Sequence, residues 1–236
     1  MFDRIHYGHC IDSLARMPER CVRLVLADLP DGRTKLKNKR PHWNSGIDLP
    51  QLWSSLRRVC YPNAAIVLFA TQPFASRLVA SNERAFRFDM IWRKSRPTNV
   101  INARIQPLRA HEHLLVFADR PPLYRPQRTH GHRPIEGRVP RRGDTTRLAT
   151  SVLDFQSVGQ KGRTHSAQKP EDLLRHLILS FTIRGELVLD PTAGSGSTLV
   201  AAKQLGRRFV GFEWDGETFV KAQKRLANTT TLELCR

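Results

Sequence analysis

A chain of 236 residues with 40% apolar content can fill one α/β domain with a small insertion, but hardly two full domains. Thirty-nine Lys and Arg against 21 Asp and Glu leave a formal charge of +18, a larger excess than solubility needs, which points to a polyanionic partner, most simply nucleic acid. No apolar run approaches membrane-spanning length, the first residues lack a basic-then-apolar export pattern, and Cys10, Cys21, Cys60 and Cys235 form no C-x-x-C; the expectation is a cytoplasmic protein with reduced thiols, no membrane partner and no zinc knuckle.

In chain order, Ile5-His6-Tyr7 predicts a short strand that turns at Gly8-His9-Cys10 into a helix over 11–17. A Val- and Leu-rich strand over 22–27 follows and runs into Asp28-Leu29-Pro30-Asp31-Gly32, where Pro30 and Gly32 stop any continuation. Residues 33–44 read as a basic loop. Asp48 suits the N-cap of a helix to Cys60, with Leu49, Leu52, Trp53, Leu56 and Val59 on one face. Pro62-Asn63 is expected to break that helix, a buried strand is predicted over 65–70, and residues 71–74 turn into a short helix ending near Ala80. Residues 88–93 and 113–118 predict two strands paired with each other.

From Arg120 to Arg163 periodicity is lost. Nine arginines and Lys161 face only Glu136, Asp144 and Asp154, and arginine favours bidentate contacts to phosphate or guanine. This stretch is the candidate nucleic-acid insertion. Order returns at His165-Ser166-Ala167-Gln168-Lys169-Pro170, with Pro170 at a helix start and Leu173, Leu174, Leu177, Ile178 and Phe181 as the buried stripe. A buried strand over 186–190, a turn, a helix opening near Gly196, a strand over 209–213 and a helix over 216–227 complete the chain. Three parts are expected: residues 1–119, the insertion 120–164, and residues 165–236, the first and third forming one catalytic domain.

The turn Asp190-Pro191-Thr192-Ala193-Gly194-Ser195-Gly196-Ser197-Thr198 carries the first chemistry. Strand, glycine-bearing turn and helix N-terminus make a ligand corner at the carboxyl edge of an open α/β sheet. The turn is not G-x-G-x-x-G and lacks a P-loop lysine, so it provides poorly for a pyrophosphate. Asp190 places an anion there, which suits a cationic ligand, and Glu213 at the next strand end suits the hydroxyls of a ribose.

With the acid that follows, this turn resembles the S-adenosyl-L-methionine pocket of amino-methylating DNA methyltransferases. Asp28-Leu29-Pro30-Asp31 sits where that family has its D-P-P-Y motif. Residues 69–74, Arg109-Ala110-His111-Glu112-His113 and residues 165–170 resemble further blocks of phage-type adenine-N6 DNA methyltransferases of the permuted β class, in which the catalytic strand precedes the cofactor strand. The resemblance spans most of the chain, from His6 to about Leu226.

It implies a Rossmann-like α/β fold, a mostly parallel sheet with helices on both faces in permuted order. It implies methyl transfer from S-adenosyl-L-methionine to the N6 amine of adenine in double-stranded DNA, sequence-specifically and after base flipping, in a restriction-modification or prophage setting where homodimers are common. The catalytic residues would be Asp28, Leu29, Pro30 and Asp31. The cofactor would meet His9, Cys10, Asp28, Lys169, Pro170, Asp190, Pro191, Thr192, Gly194, Ser195, Gly196, Ser197, Thr198, Glu213 and Trp214, and no metal is implied. Two residues depart from the pattern: Asp31 stands where the family has Tyr or Phe, and His9 where it usually has an acid. His42, Trp43 or Trp92 would be substitutes as a stacking surface. The same acceptor chemistry serves the N4 amine of cytosine, and Asp31 also suits a DNA-binding relative with weakened catalysis. His111-Glu112-His113 carries no metal reading, since neighbours on a strand point to opposite faces.

Overall fold

The computed structural model describes residues 1–32, 46–130, 146–158 and 168–232. Ten strands and six α-helices are found among them: β1 Arg4–Tyr7, α1 Cys10–Ala15, β2 Val22–Asp28, α2 Leu49–Val59, β3 Cys60–Ala70, α3 Phe74–Ser81, β4 Phe86–Thr98, β5 Arg109–Phe117, β6 Arg128–His130, β7 Thr146–Leu148, β8 Val152–Phe155, α4 Glu171–Phe181, β9 Leu187–Asp190, α5 Ser197–Gln204, β10 Arg208–Glu213 and α6 Gly216–Ala227. Eight strands form one sheet in the order β1-β10-β9-β2-β3-β5-β4-β8, and β6 and β7 form a separate antiparallel pair. Within the large sheet only β5 runs against its neighbours.

Strand alternation sorts the side chains of β2 onto two helical layers. Val25 and Ala27 pack with α1, α2 and α3, while Leu24 and Leu26 pack with α4, α5 and α6. The α/β fold with helices on both faces is therefore as expected. The Asp48 side chain caps α2 by accepting from the Gln51 amide at 2.9 Å, and Trp53 is buried with its indole N–H on Ser81.

Three local expectations change. The helix before Pro62-Asn63 does end, at Val59, but β3 already starts at Cys60, five residues before the predicted strand over 65–70. The β2–β3 register slips between Val22 and Leu24, so the residue without an amide falls where the ladder is irregular, and its carbonyl accepts from the Arg120 amide instead. Next, β4 runs on to Thr98, five residues past the predicted strand over 88–93. Finally, β8 lies inside the expected insertion yet pairs in parallel with β4, with Trp92 Nε1 donating to the Phe155 carbonyl at 3.0 Å. A four-residue strand with one buried side chain, Leu153, leaves no periodicity to read.

The functional geometry follows from one pairing. β2 lies beside β9, Leu24 opposite Val188 and Val25 opposite Leu189. Onward connections leave β2 towards β3 on one side and β9 towards β10 on the other. Their carboxyl ends diverge there, and a crevice opens where such sheets bind ligands.

Candidate active site

The crevice is a cavity of about 1040 Å³. The β9–α5 corner forms one wall. Asp190 is 4% exposed and accepts the Thr192 amide at 3.1 Å. Gly194 takes φ +51°, and its amide donates to Glu213 Oε2 at 2.8 Å; the Asp215 amide takes Glu213 Oε1 at 2.7 Å. Each oxygen of Glu213 thus has a backbone donor, and the carboxylate as a whole can still accept from a ligand hydroxyl. Ser197 is held by Arg225 at 2.9 Å and lies 3.1 Å from the Ser195 hydroxyl.

β1 extends this wall. Its last residue, Tyr7, pairs with Glu213, the Gly8 amide donates to the Glu213 carbonyl at 2.9 Å, and the His9 ring meets Trp214 edge-on at 5.1 Å. Gly8, His9, Cys10, Glu213 and Trp214 all line the cavity. Burial pushes the Cys10 thiol up to about 11, which leaves it a packing residue rather than a nucleophile.

Asp28 ends β2 on the cavity floor, followed by Leu29, Pro30 and Asp31, all of which line it. The two corners touch directly: Thr192 Oγ1 donates to the Asp28 carbonyl at 3.2 Å across 164 residues of sequence. The Asp28 side chain is 41% open to the cavity, and Lys169 Nζ lies 2.9 Å from its Oδ2. Lys169 also pairs with Glu112 Oε2 at 2.8 Å, and Glu112 Oε1 pairs with Lys94 at 2.6 Å. The ammonium groups rest near the faces of Phe69 and Trp92, 4.9 Å and 5.5 Å from the ring centres. Asp28, Lys169, Glu112 and Lys94 therefore form a chain of alternating charge drawn from β2, the approach to α4, β5 and β4.

This chain sets the charge states. Enclosure raises the Asp28 carboxyl above its ordinary range; Lys169 opposes the rise, and Glu112 and Asp31 add to it. Burial works against the charges of Lys169 and Glu112, but their partners outweigh it, so the ammonium is held charged and the Glu112 carboxyl stays low. Asp190 is pushed up to about 7 by burial, against hydrogen bonds from Thr198 and Thr192. A buried carboxyl poised near neutrality gains by meeting a cation, and the Glu213 carboxylate is able to accept from a diol. The two together fit a ligand with a positive centre and a ribose.

Of the expected cofactor residues, Gly196 and Pro170 are not in the cavity wall. Gly196 takes φ +74° as the residue before α5, and an added Cβ would stand 3.3 Å from Ala222 Cβ, so it serves the packing of α5 on α6. Pro170 opens α4. Every other expected residue does line the cavity. Trp92 belongs to the wall and is 4% exposed; His42, Trp43 and residues 165–167 lie outside the described residues. The sequence reading did not anticipate Glu112 and Lys94. The signal was present in His111-Glu112-His113, because alternation turns Glu112 to the face opposite both histidines.

A protein-family model described as DNA methylase, of the N6 and N4 type, matches residues 47–224. The chain is similar to the putative methylase YubD of Escherichia coli K12, 30% identical over 233 residues, covering 95% of this chain and 90% of that one. It is also similar to the type II methyltransferase M2.DpnII of Streptococcus pneumoniae, 52% identical over 62 residues; this match spans 26% of the chain and only 23% of that relative's length. Among solved structures, the M1.HpyAVI–SAM complex superposes with a TM-score of 0.67 at 21% identity, covering 94% of this chain and 98% of that one, a likeness of fold.

Proposed function

We propose that this chain, which belongs to the N6 and N4 DNA methylase family, transfers a methyl group from S-adenosyl-L-methionine to the exocyclic N6 amine of adenine in double-stranded DNA. One observation carries the reading: a carboxylate at a strand end shares one cavity with a corner fitted to a cationic nucleoside, joined to it by the Thr192–Asp28 hydrogen bond.

The cofactor supplies an electrophilic methyl carbon. Asp190 would face its positive end and Glu213 its ribose, with His9, Trp214, Gly194 and Ser195 closing around the nucleoside. The chain's task is to make a poor nucleophile attack. The lone pair of an aminopurine is delocalised into the ring, and acceptors on both N–H bonds draw that nitrogen towards tetrahedral geometry. Lys169 occupies Asp28 Oδ2, so Oδ1 is the oxygen offered to one amine proton, and the Leu29 carbonyl accepts the other. The amine nitrogen would take the methyl carbon from the bound cofactor, the C–S electron pair staying on sulfur, and Asp28 would take the proton left on nitrogen. A weak base suffices for that step, so an ion-paired carboxylate serves, and positioning carries most of the rate.

Residues 1–119 and 165–236 would form the catalytic unit, and the basic stretch 120–164 would recognise the target, apart from β8, which belongs to the sheet. A second reading, a DNA-binding relative with weakened transfer, is favoured by Asp31, whose carboxylate shares the cavity with Asp28.

Incubating the chain with isotopically labelled cofactor and genomic DNA, then digesting to nucleosides, tests the assignment. N6-methyladenine is the expected product. N4-methylcytosine would reassign the base, and no labelled nucleoside despite bound cofactor would remove the enzyme reading.

A further inference from the structure

The β4–β5 hairpin continues the cavity wall outwards. Trp92, Lys94, Arg96 and Thr98, alternate residues of β4, line the cavity, and the chain then turns over before returning as β5. The turn is built. Asn99 takes the left-handed conformation at φ 71°, its side chain accepts from Asn102 Nδ2 at 2.8 Å, and a 3₁₀ turn over Val100–Asn102 follows. The amides of Asn102, Ala103, Ile105 and Gln106 all bond back within the tip.

This ordered knob presents the wrong side chains for a surface loop. Ile101 is 99% exposed, Ile105 82% and Val100 68%. Around them Arg96, Arg104 and Arg109 are exposed, and residues 93–111 contain no acid. Three residues beyond Thr98, Ile101 lies within about 11 Å of the cavity wall. An apolar point ringed by arginines does not suit a second copy of the same surface, since a two-fold contact would set the arginines against each other. It suits a polyanion with an apolar interior, which is a description of duplex DNA: phosphates outside, stacked bases within.

We propose that the β4–β5 tip is a wedge, with Ile101 entering the base stack to fill the gap left when the target nucleotide swings into the cavity, and Val100 and Ile105 supporting it. This rests on the DNA substrate proposed above. Base extrusion leaves an unstacked hole, and aliphatic side chains inserted between base steps stabilise such distorted duplexes. Arg96, Arg104 and Arg109 hold the flanking phosphates.

The test is binding, so it needs no methyl transfer. Fluorescence anisotropy would compare the full chain on a mixed-sequence duplex of about 30 base pairs and on the same duplex with one abasic site. The wild-type chain should prefer the abasic duplex by about tenfold, because the hole is already open for the wedge. Ile101→Ser and the double variant with Ile105→Ser should reduce that preference to about twofold or less while leaving intact-duplex binding nearly unchanged, and Arg104→Ala should weaken both duplexes alike. Equal wild-type affinity for the two duplexes, or a preference that survives Ile101→Ser, would overturn the wedge. So would a dimer lost in sedimentation with the preference intact, which would give the tip to a second copy. Both serine changes lie at the exposed tip, and circular dichroism would check that each variant keeps the fold. Labelled-cofactor transfer by the wild-type chain, scored separately, shows whether the enzyme reading itself has failed.

Discussion

The two corners that meet in the cavity are built by different means. The cofactor corner is local and made largely of backbone: a turn after β9 and the end of β10 supply amides, two left-handed glycines and two carboxylates. The catalytic corner is distant in sequence and made of side chains, Asp28, Lys169, Glu112 and Lys94 from four separate segments. A backbone corner is set once its strands pair, and it tolerates exchange of its side chains. A charge chain holds only while every member is present, because each buried charge relies on the next.

The largest effect separates the two. Asp28→Ala should reduce methyl transfer by about 10³-fold or more, since it removes the acceptor proposed to activate the amine. Cofactor affinity should stay within about threefold, if Asp190 and Glu213 hold that ligand as proposed. Single-turnover rates and calorimetric titration would read the split. A comparable loss of cofactor affinity would mean that the corners are one site and the contrast is false.

Within the catalytic corner the next largest effects should have opposite signs. Lys169→Met removes the charge that opposes the rise at Asp28, so the acid limb of the kcat profile should move to higher pH. Glu112→Gln removes a like charge and leaves Lys169 to Asp28 alone, so that limb should move to lower pH. Each substitution breaks a buried pair and should also lower stability by about 3 kcal/mol. A merely structural Glu112 would give the stability loss with no movement of the profile.

The same contrast governs what the sequence made legible. The Asp190–Thr198 turn and Glu213 could be read because strand, turn, helix and acid follow at short spacings. Asp28 could be read from the stop at Pro30 and Gly32 together with the motif it resembles. Lys169 was found by resemblance, but not its partner, since nothing local ties a residue before α4 to the middle of β5. Glu112 and Lys94 needed the β4–β5 register, Trp92 opposite Glu112, which a weakly alternating sequence does not specify. β8 and the onward run of β4 were missed for a related reason, since both are fixed by pairing rather than by their own periodicity. Gly196 was grouped with the cofactor residues because a turn glycine near a ligand and a glycine under a crossing helix look alike until Ala222 is placed.

The cofactor corner has its own pH signature. Asp190 is raised from 3.8 to about 7, so below neutrality it is protonated in the empty protein. A neutral carboxyl in a dry site favours the fold, so its contribution is full below about pH 4 and is lost as pH rises through 7. Affinity for a cationic ligand should run the other way. Kd should weaken by up to about tenfold per pH unit below 7 and level off above it, because the ligand must expel the proton. Asp190→Asn should weaken binding at pH 8 by about tenfold and flatten the profile. A wild-type Kd independent of pH from 5.5 to 8 would mean that Asp190 does not face the positive charge.

The smallest effect bears on the residue that fits neither corner. Asp31 lines the cavity at the position where the resembling family has Tyr or Phe, and its charge adds to the rise at Asp28. Asp31→Tyr replaces a repulsive carboxylate by a ring, and stacking is worth ~1–3 kcal/mol per base, so kcat/KM should rise by about tenfold if the pocket is otherwise complete. The acid limb should also move to lower pH, because one of the charges raising Asp28 is gone. A gain in rate would mean that the charge chain works and only the stacking face is missing. A loss would mean that the carboxylate itself contacts the substrate, making Asp31 a fifth member of the catalytic corner and moving its balance of charge one step towards the DNA.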